Sequence, residues 1–346
     1  MEDKYLKKAI DKYNKALRLN LGDTNAYIER GKAYCKLGQC ERGIQDFDEA
    51  IWVNLEDVYA YVTRGLAYWY DMGQIERGIE DFDEAINLTP DDGRAYVVRG
   101  IAYCDLDQFE RGIQDFDEAI SLNPADAYAY YNRGFAYREL GQYERGIEDF
   151  DESICLNPEN DKAYLIRGNA YHILGQVERG IKDFNMAIHL NPGNTQAYYN
   201  RGMAHCDLGQ FEQGIRDFSE TIWLNPRDAD AYYQRGLCYW NDLSRIKRGI
   251  KDFDKAIRLN PNNTDAYINR GNAYCDLDQF ERSMKDYGEA IRLDPNDPDA
   301  YFNRGNAYQL QGKTAEAIAD FEKSISLTGE PQFIEMAKQQ IEELNE

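Results

Sequence analysis

The chain has 346 residues, of which 62 are acidic and 40 basic, so its formal net charge is −22. At about 150 residues per domain this length predicts two ordinary domains, and 43% hydrophobic residues can form a packed core. The acidity argues against nucleic acid and anionic membranes as partners, because both are bound through cationic side chains, and the lack of a run of about 18 apolar residues predicts no membrane insertion.

A recurring motif replaces the two-domain estimate. The dipeptide Arg-Gly recurs with a nearly constant period, lengthened by one residue in two cases, beginning at Arg30, Arg64, Arg99, Arg133, Arg167, Arg201, Arg235, Arg270 and Arg304. Most copies lie between two Ala-Tyr pairs, and most are followed by Gly-Ile, Asp-Phe and Ala-Ile at similar spacing. If Tyr130 is repeat position 4, then Gly134 is position 8 and Phe150 position 24. Small and aromatic residues at helical spacing predict two helices per copy.

With these residues each copy resembles the tetratricopeptide repeat, a helix-turn-helix of about 34 residues, in an Arg-Gly variant similar to bacterial members. The resemblance implies an all-α solenoid, a right-handed superhelix in which the first helix of each repeat lines a concave groove. Nine repeats are predicted over residues 24–331, starting near 24, 58, 93, 127, 161, 195, 229, 264 and 298. No single repeat can bury its own apolar face, so the repeats must stack.

The two ends follow the same pattern. Residues 1–23 resemble only the second helix of a repeat, with Ala9, Tyr13 and Ala16 at packing positions. This half-repeat is what a fragment of a longer protein would show. Residues 332–346 place Phe333 and Ala337 on one apolar stripe beside charged residues, which predicts a C-terminal capping helix.

A longer period is superimposed on the repeats. The separation between Trp52 and Trp223 is the same as that between Trp69 and Trp240. This interval equals five repeats plus one inserted residue, which indicates duplication of a five-repeat block. Such matches report ancestry, and not two copies of a binding site.

The arginine at position 7 invites a phosphate-binding interpretation, but position 23 is Asp in every repeat. An arginine at position 19 is a second possible partner for this aspartate. In the two repeats where position 19 is Gln213 or Glu316, the aspartate is still present. We therefore predict a partly buried Arg–Asp bridge between the two helices of each repeat. The acidic residues at positions 25 and 26, such as Asp117 and Glu118, are expected on a solvated outer face.

Neither a metal site nor an active site is expected. The seven cysteines are odd in number, which favours reduced thiols and a cytoplasmic location. Cys35, Cys104, Cys206 and Cys275 share position 12 and lie two or more repeats apart, too far for a disulfide. No phosphate loop, dinucleotide fingerprint or nucleophile elbow occurs, so the chain is expected to need no cofactor and to catalyse no reaction.

The resemblance places first-helix positions 2, 5, 6, 9 and 12 in the groove. The second to fourth repeats offer an apolar set there, and the later repeats a polar one rich in asparagine, a residue that can hydrogen-bond a peptide backbone. The predicted groove residues are Val62, Leu66, Trp69, Val97, Val98, Ile101, Tyr131, Asn132, Phe135, Asn169, Asn200, Tyr233, Gln234, Asn269, Asn272, Asn303 and Asn306. The asparagines are also compatible with simple tolerance of a polar residue at exposed positions.

These observations predict a non-catalytic scaffold that binds a peptide or protein segment in the groove. One alternative is a structural array that assembles with itself through exposed terminal repeats, giving a homo-oligomer. A second alternative is the regulatory arm of a larger multidomain protein or enzyme.

Overall fold

The computed structural model describes residues 2–241 and 245–345, and all of its regular secondary structure in those ranges is helical. Helix α1 spans Glu2–Leu19 and α20 spans Pro331–Asn345. The first helices of the repeats are α2 (Thr24–Lys36), α4 (Val58–Leu66), α6 (Gly93–Asp105), α8 (Ala127–Glu139), α10 (Asp161–Ile173), α12 (Thr195–Asp207), α14 (Ala229–Asn241), α16 (Thr264–Cys275) and α18 (Pro298–Leu310). The second helices are α3 (Cys40–Val53), α5 (Ile75–Leu88), α7 (Phe109–Leu122), α9 (Tyr143–Leu156), α11 (Val177–Leu190), α13 (Phe211–Leu224), α15 (Ile246–Leu259), α17 (Phe280–Leu293) and α19 (Thr314–Leu327). The prediction of an all-α solenoid is confirmed.

The first helices begin at an Asp or Asn that caps the helix. Asp126, for example, accepts hydrogen bonds from the backbone N–H groups of Tyr128 (2.9 Å) and Ala129 (3.1 Å), which have no partner within the helix. The same helix ends at a turn where Gly141 has a φ of 72°, a conformation that glycine adopts without strain. The cap and the turn together set where the hairpin bends, and in the third and eighth repeats Asp107 and Asp278 adopt the left-handed conformation in place of glycine.

Close contact between two glycines lets the helices of a hairpin cross tightly. A Cβ atom on Gly134 would lie 3.0 Å from the carbonyl oxygen of Gly146 and 2.9 Å from the ring of Phe150. The Phe150 side chain is fully buried at this crossing. The cost of a glycine inside each helix is offset by this packing.

The predicted Arg–Asp bridge is present. Arg133 donates to both carboxylate oxygens of Asp149, from Nε at 2.9 Å and from Nη2 at 2.7 Å. Arg145, the rival at position 19, instead donates to the hydroxyl of Tyr137 and to Gln142. Equivalent bidentate pairs join Arg30–Asp46, Arg64–Asp81, Arg99–Asp115, Arg201–Asp217, Arg235–Asp252, Arg270–Asp286 and Arg304–Asp320. Burial raises the pKa of Asp149, and the hydrogen bonds from Arg133 oppose that rise.

The acidic residues at position 25 are partly exposed, as predicted, but several of them also form ion pairs. Asp117 remains half exposed, but it accepts a hydrogen bond from Nη1 of Arg133 in the next repeat at 2.6 Å. Matching contacts join Arg64–Asp48, Arg99–Asp83, Arg167–Asp151 and Arg270–Asp254. Each of these arginines therefore links its own repeat to the preceding one, and the expectation of a purely solvated face is wrong for these aspartates.

The chain divides into two compact units, residues 1–174 and 175–346. In the N-terminal unit α1 packs through Leu6 and Ile10 against Ala33 of α2. In the C-terminal unit α20 packs its Phe333 ring 5.3 Å from that of Phe302, and Ala337 is fully buried. None of the described helices is long and apolar enough to cross a membrane.

The second repeat contains one of the two inserted residues and departs from regular α-helix. Residues Ala67–Asp71, directly after α4, form a π-helical turn that takes up the extra residue. The turn changes the direction in which the last side chains of this first helix point. The corresponding insertion near Asn241 adjoins residues 242–244, which lie outside the described ranges.

The prediction that all cysteines are reduced is wrong. Cys35, at the end of α2, forms a disulfide with Cys40, at the start of α3. The prediction considered pairs among position-12 cysteines, whereas the partner lies across the turn of the same hairpin. Cys104, Cys155, Cys206, Cys238 and Cys275 are free thiols.

Candidate partner-binding surface

Two of the predicted groove residues are buried. Trp69 is 5% exposed, and its indole Nε1 donates to Asp105 Oδ2 in the next first helix at 3.0 Å. Val97 is 4% exposed and packs with Phe116 and Ala129. Both side chains contribute to the packing between successive repeats, so neither offers a surface to a partner in this conformation.

Most of the other apolar candidates surround Trp69. Val62, Leu66, Val98 and Ile101 are half-buried and pack against the cluster that contains Trp69 and Phe82. The structure thus brings the predicted apolar set of α4 and α6 together. Only the outer parts of these side chains are available for contact.

The aromatic candidates of α8 are more accessible. The Tyr131 ring lies 6.0 Å from that of Phe150, and burial raises the pKa of its phenol. Phe135 lies beneath the guanidinium of Arg138 at 4.6 Å, a cation–π contact. Tyr131 and Phe135 are both half-buried.

Sequence reasoning missed two exposed tyrosines next to these residues. Tyr70 is 64% exposed and stacks on Trp69 with ring centres 4.2 Å apart, while Tyr128 is 57% exposed and stacks on Tyr131 at 6.5 Å. Burial raises the pKa of Tyr70, and the charges of Asp105 and Tyr128 add to the rise. We call Tyr70, Tyr128 and Tyr131 the tyrosine patch. The only signal for Tyr70 was the inserted residue beside it.

Two asparagines of the C-terminal unit are engaged in packing. Asn269 Nδ2 donates to the hydroxyl of Tyr233 at 2.8 Å, and Asn272 Oδ1 accepts from the hydroxyl of Tyr287 at 2.7 Å. Burial and the charge of Asp265 raise the pKa of Tyr233 to about 12. Each bond uses one group of the amide to satisfy a tyrosine hydroxyl, so it fixes the orientation of the asparagine side chain within the packing.

The remaining polar candidates differ in availability. Asn303 and Asn132 donate to carbonyl oxygens one turn back in their own helices, contacts that a ligand can replace at low cost because each carbonyl already accepts a helical bond. Asn200 accepts from Gln196, and Gln234 bonds the hydroxyl of Tyr199. Asn169 also has an interaction of its own, and Asn306 is half-buried.

A polar cavity of about 380 Å³ lies beside these residues in the C-terminal unit. Its lining consists of Thr195, Gln196, Tyr199, Asn225, Asp228 and Asp230. Amide, hydroxyl and carboxylate groups dominate it, in contrast to the aromatic surface of the tyrosine patch.

Helical hairpins of this length, stacked through small residues and a repeated ion pair, define a helical repeat protein. Family models described as TPR repeat or tetratricopeptide repeat match residues 58–92, 100–141, 127–160, 161–194, 199–264, 253–285, 271–312 and 298–327. The chain belongs to the tetratricopeptide repeat family. No curated protein sequence matches it significantly.

Solved structures show the same fold. A tetratricopeptide repeat protein from Parabacteroides merdae is 19% identical, with a TM-score of 0.55, covering 73% of this chain and 99% of that one. The Cut9–Hcn1 hetero-tetramer of APC/C gives 14% identity and a TM-score of 0.54 over 97% of this chain and 81% of that one. YrrB, described as having an unusual peptide-binding site, is 25% identical with a TM-score of 0.49, covering 54% of this chain and 96% of that one. The fold is of the kind found in protein-interaction scaffolds.

Proposed function

We propose that this protein is a non-catalytic scaffold that binds an extended segment of a protein or peptide in a groove lined by the first helices. The observation that carries the proposal is the tyrosine patch. Exposed aromatic rings are costly to leave in water, and tyrosine is a residue on which binding energy concentrates at interfaces. Tyr70 lies at the end of the first helix of the second repeat, and Tyr128 at the start of the first helix of the fourth. A ligand touching both therefore spans three repeats.

The chemistry of the surface indicates the kind of ligand. The tyrosine rings and the half-buried Val98 and Ile101 offer contact area for apolar side chains, while the Asp105 carboxylate lies beside them. Asn132, whose amide donates to the Tyr128 carbonyl oxygen of its own helix, can turn to a peptide N–H or carbonyl group. This arrangement fits an extended segment that has apolar side chains and whose backbone N–H and carbonyl groups are available for hydrogen bonds.

The test begins with selection of ligands from a displayed library of extended random peptides on the intact protein. The Kd of a selected peptide is then measured for Tyr70→Ala and Tyr128→Ala. We expect each substitution to raise Kd by about 30-fold, corresponding to about 2 kcal/mol for a binding hot spot. Helicity should be unchanged because both side chains are more than half exposed.

Trp52→Ala provides the matched control. Trp52 is 78% exposed in the same unit but lies on a second helix, α3, so its removal should leave Kd unchanged. Equal losses in Trp52→Ala and Tyr128→Ala, or no selectable peptide, would contradict the groove proposal. Sedimentation of the isolated chain separates this function from self-assembly, since a scaffold for another protein stays monomeric as concentration rises.

A further inference from the structure

Three metal-ligand atoms converge at the junction of the first two repeats, beside Tyr70 of the tyrosine patch. The Sγ atoms of Cys35 and Cys40 and a carboxylate oxygen of Asp71 all lie within 4.8 Å of one another. Cys40 Sγ is 3.7 Å from Asp71 Oδ2. The three residues come from separate elements: the end of α2, the start of α3 and the π-helical turn after α4.

Cys40 packs against the core of the first repeat, but core packing does not require a cysteine there. At the corresponding point the second to eighth repeats have large apolar or aromatic residues, namely Ile75, Phe109, Tyr143, Val177, Phe211, Ile246 and Phe280. Cys40 is therefore a small thiol where the hairpin ordinarily places a bulky side chain. In the second copy of the duplicated block Phe211 occupies this place, so that copy has no second thiol there.

Packing does not account for Asp71 either. Six of the repeats without an insertion have leucine at its position, namely Leu37, Leu106, Leu140, Leu174, Leu208 and Leu277. The π-helical turn instead carries an exposed aspartate toward the preceding repeat. A residue substitution and an inserted residue thus both contribute to one cluster.

The ligand set has the chemistry of a zinc site. Two thiolates in a Cys-x₄-Cys arrangement with a carboxylate are ligands that Zn²⁺ accepts. Ligands held about 2.0–2.3 Å from a tetrahedral ion lie roughly 3.5 Å apart, close to the observed sulfur–oxygen separation. A cleft of about 650 Å³, lined in part by Cys40, Asp71 and Met72, leaves room for water at a fourth position.

We propose that Cys35 and Cys40, once reduced, bind Zn²⁺ together with Asp71, and that the disulfide is the metal-free oxidised form of the same site. A dithiol reductant supplies two electrons and two protons to the disulfide and becomes a disulfide itself. The two thiols then release their protons to water as zinc binds. Three anionic ligands on Zn²⁺ leave one negative charge, which Lys36 in the adjoining cleft offsets.

Bound zinc would join the first repeat to the second, since Asp71 belongs to the latter. A metal that binds the folded chain and not the unfolded one stabilises the fold, and the gain rises with the logarithm of the free zinc concentration above Kd. The site therefore makes the stability of the first two repeats depend on both zinc and the thiol redox state.

The test uses the full chain reduced with dithiothreitol and then freed of reductant under inert gas. Co²⁺ serves as a spectroscopic probe, because thiolate ligation gives a charge-transfer absorption, and Zn²⁺ displaces it. We expect one Co²⁺ per chain, no binding to the oxidised chain, and a rise in Tm with Zn²⁺. Absence of the charge-transfer band in the reduced chain would overturn the proposal.

The variants identify the ligands. Cys40→Phe, which installs the residue found in the second copy of the block, should abolish the band, while Asp71→Asn should keep it and weaken affinity at least tenfold. Cys206→Ser is the matched control: Cys206 shares position 12 with Cys35, and its Sγ lies 2.8 Å from that of Cys238. Binding that survives Cys40→Phe or disappears in Cys206→Ser would place the metal elsewhere and contradict the assignment.

Discussion

The two copies of the duplicated block share their internal packing. Trp69 donates its indole N–H to Asp105 at 3.0 Å in the N-terminal unit, and Trp240 donates to Asp276 at 2.6 Å in the C-terminal unit. The Arg–Asp bridges and the buried phenylalanines recur in both. The packing inside each hairpin and the Trp–Asp contact between successive repeats were therefore retained after the duplication.

The first-helix surfaces of the two copies differ. Tyr70 and Tyr128 in the N-terminal unit correspond to Asn241 and Asp299, and the apolar Val98, Ile101 and Phe135 correspond to Asn269, Asn272 and Asn306. One copy thus offers aromatic rings where the other offers amides and a carboxylate. The fold thus constrains the interior of each hairpin and leaves the first-helix surface free to change, as expected if that surface selects partners.

The largest expected effect comes from breaking one Arg–Asp bridge in each copy. Arg133→Leu should lower the free energy of unfolding by about 3 kcal/mol, because it leaves Asp149, 5% exposed, as an unpaired buried charge. Arg304, its counterpart, bonds Asp320 alone, since the preceding repeat has Gly288 at position 25. Arg304→Leu should therefore cost up to about 1 kcal/mol less. Urea denaturation followed by circular dichroism measures both.

A double variant serves as the control for that experiment. Arg133→Leu with Asp149→Leu removes both charges and should recover much of the stability lost in the single variant. Unchanged or increased stability in Arg133→Leu alone would mean that the bridge is dispensable.

The next largest loss of stability is expected from adding a Cβ at the glycine where the two helices of a hairpin cross. This crossing is tight in both copies. Gly134→Ala would place a Cβ 2.9 Å from Phe150, and Gly305→Ala would place one 2.8 Å from Phe321. Each should cost about 2 kcal/mol through overpacking. Gly288, in the interior of α17 with open space around it, is the matched control, and Gly288→Ala should stabilise by about 0.5–1 kcal/mol. Destabilisation by all three substitutions would indicate a cause other than the crossing.

The smallest expected effect is a difference in stability loss between variants of the two Trp–Asp contacts. Asp105→Ala leaves the indole N–H of the buried Trp69 without an acceptor and should cost about 1–2 kcal/mol. Trp240 is more exposed, so water can replace Asp276 and Asp276→Ala should cost under about 1 kcal/mol. Thermal unfolding of the two variants gives the comparison, and an equal loss in both would show that burial of the indole does not set the cost.

The sequence was sufficient to predict features that recur inside one repeat. Position 23 is Asp wherever position 7 is Arg, even where position 19 changes to Gln213 or Glu316, and this pattern identified the bridge. The helix periodicity identified the hairpins for the same reason. A contact within one hairpin leaves the same residue pattern in repeat after repeat, and each copy supports the inference drawn from the others.

Features that join repeats or occur once were not predicted. Asp117 looked solvated because its partner, Arg133, belongs to the next repeat. Trp69 and Val97 looked accessible because the following repeat, which covers them, is invisible in a single-helix pattern. The Cys35–Cys40 disulfide and the orientation of Tyr70 depend on one substitution and one insertion, which no periodic pattern reports.

The central claim, that the first-helix surface of the N-terminal unit binds a peptide segment, is tested most directly by exchanging surfaces between the copies. Tyr70→Asn with Tyr128→Asp gives the N-terminal unit the residues of its counterpart, and Asn241→Tyr with Asp299→Tyr is the matched reverse exchange. Calorimetric titration with a peptide selected on the unaltered protein should show at least a 30-fold increase in Kd for the first variant and no loss of affinity for the second. Unchanged affinity in the first variant, with intact helicity, would contradict the account.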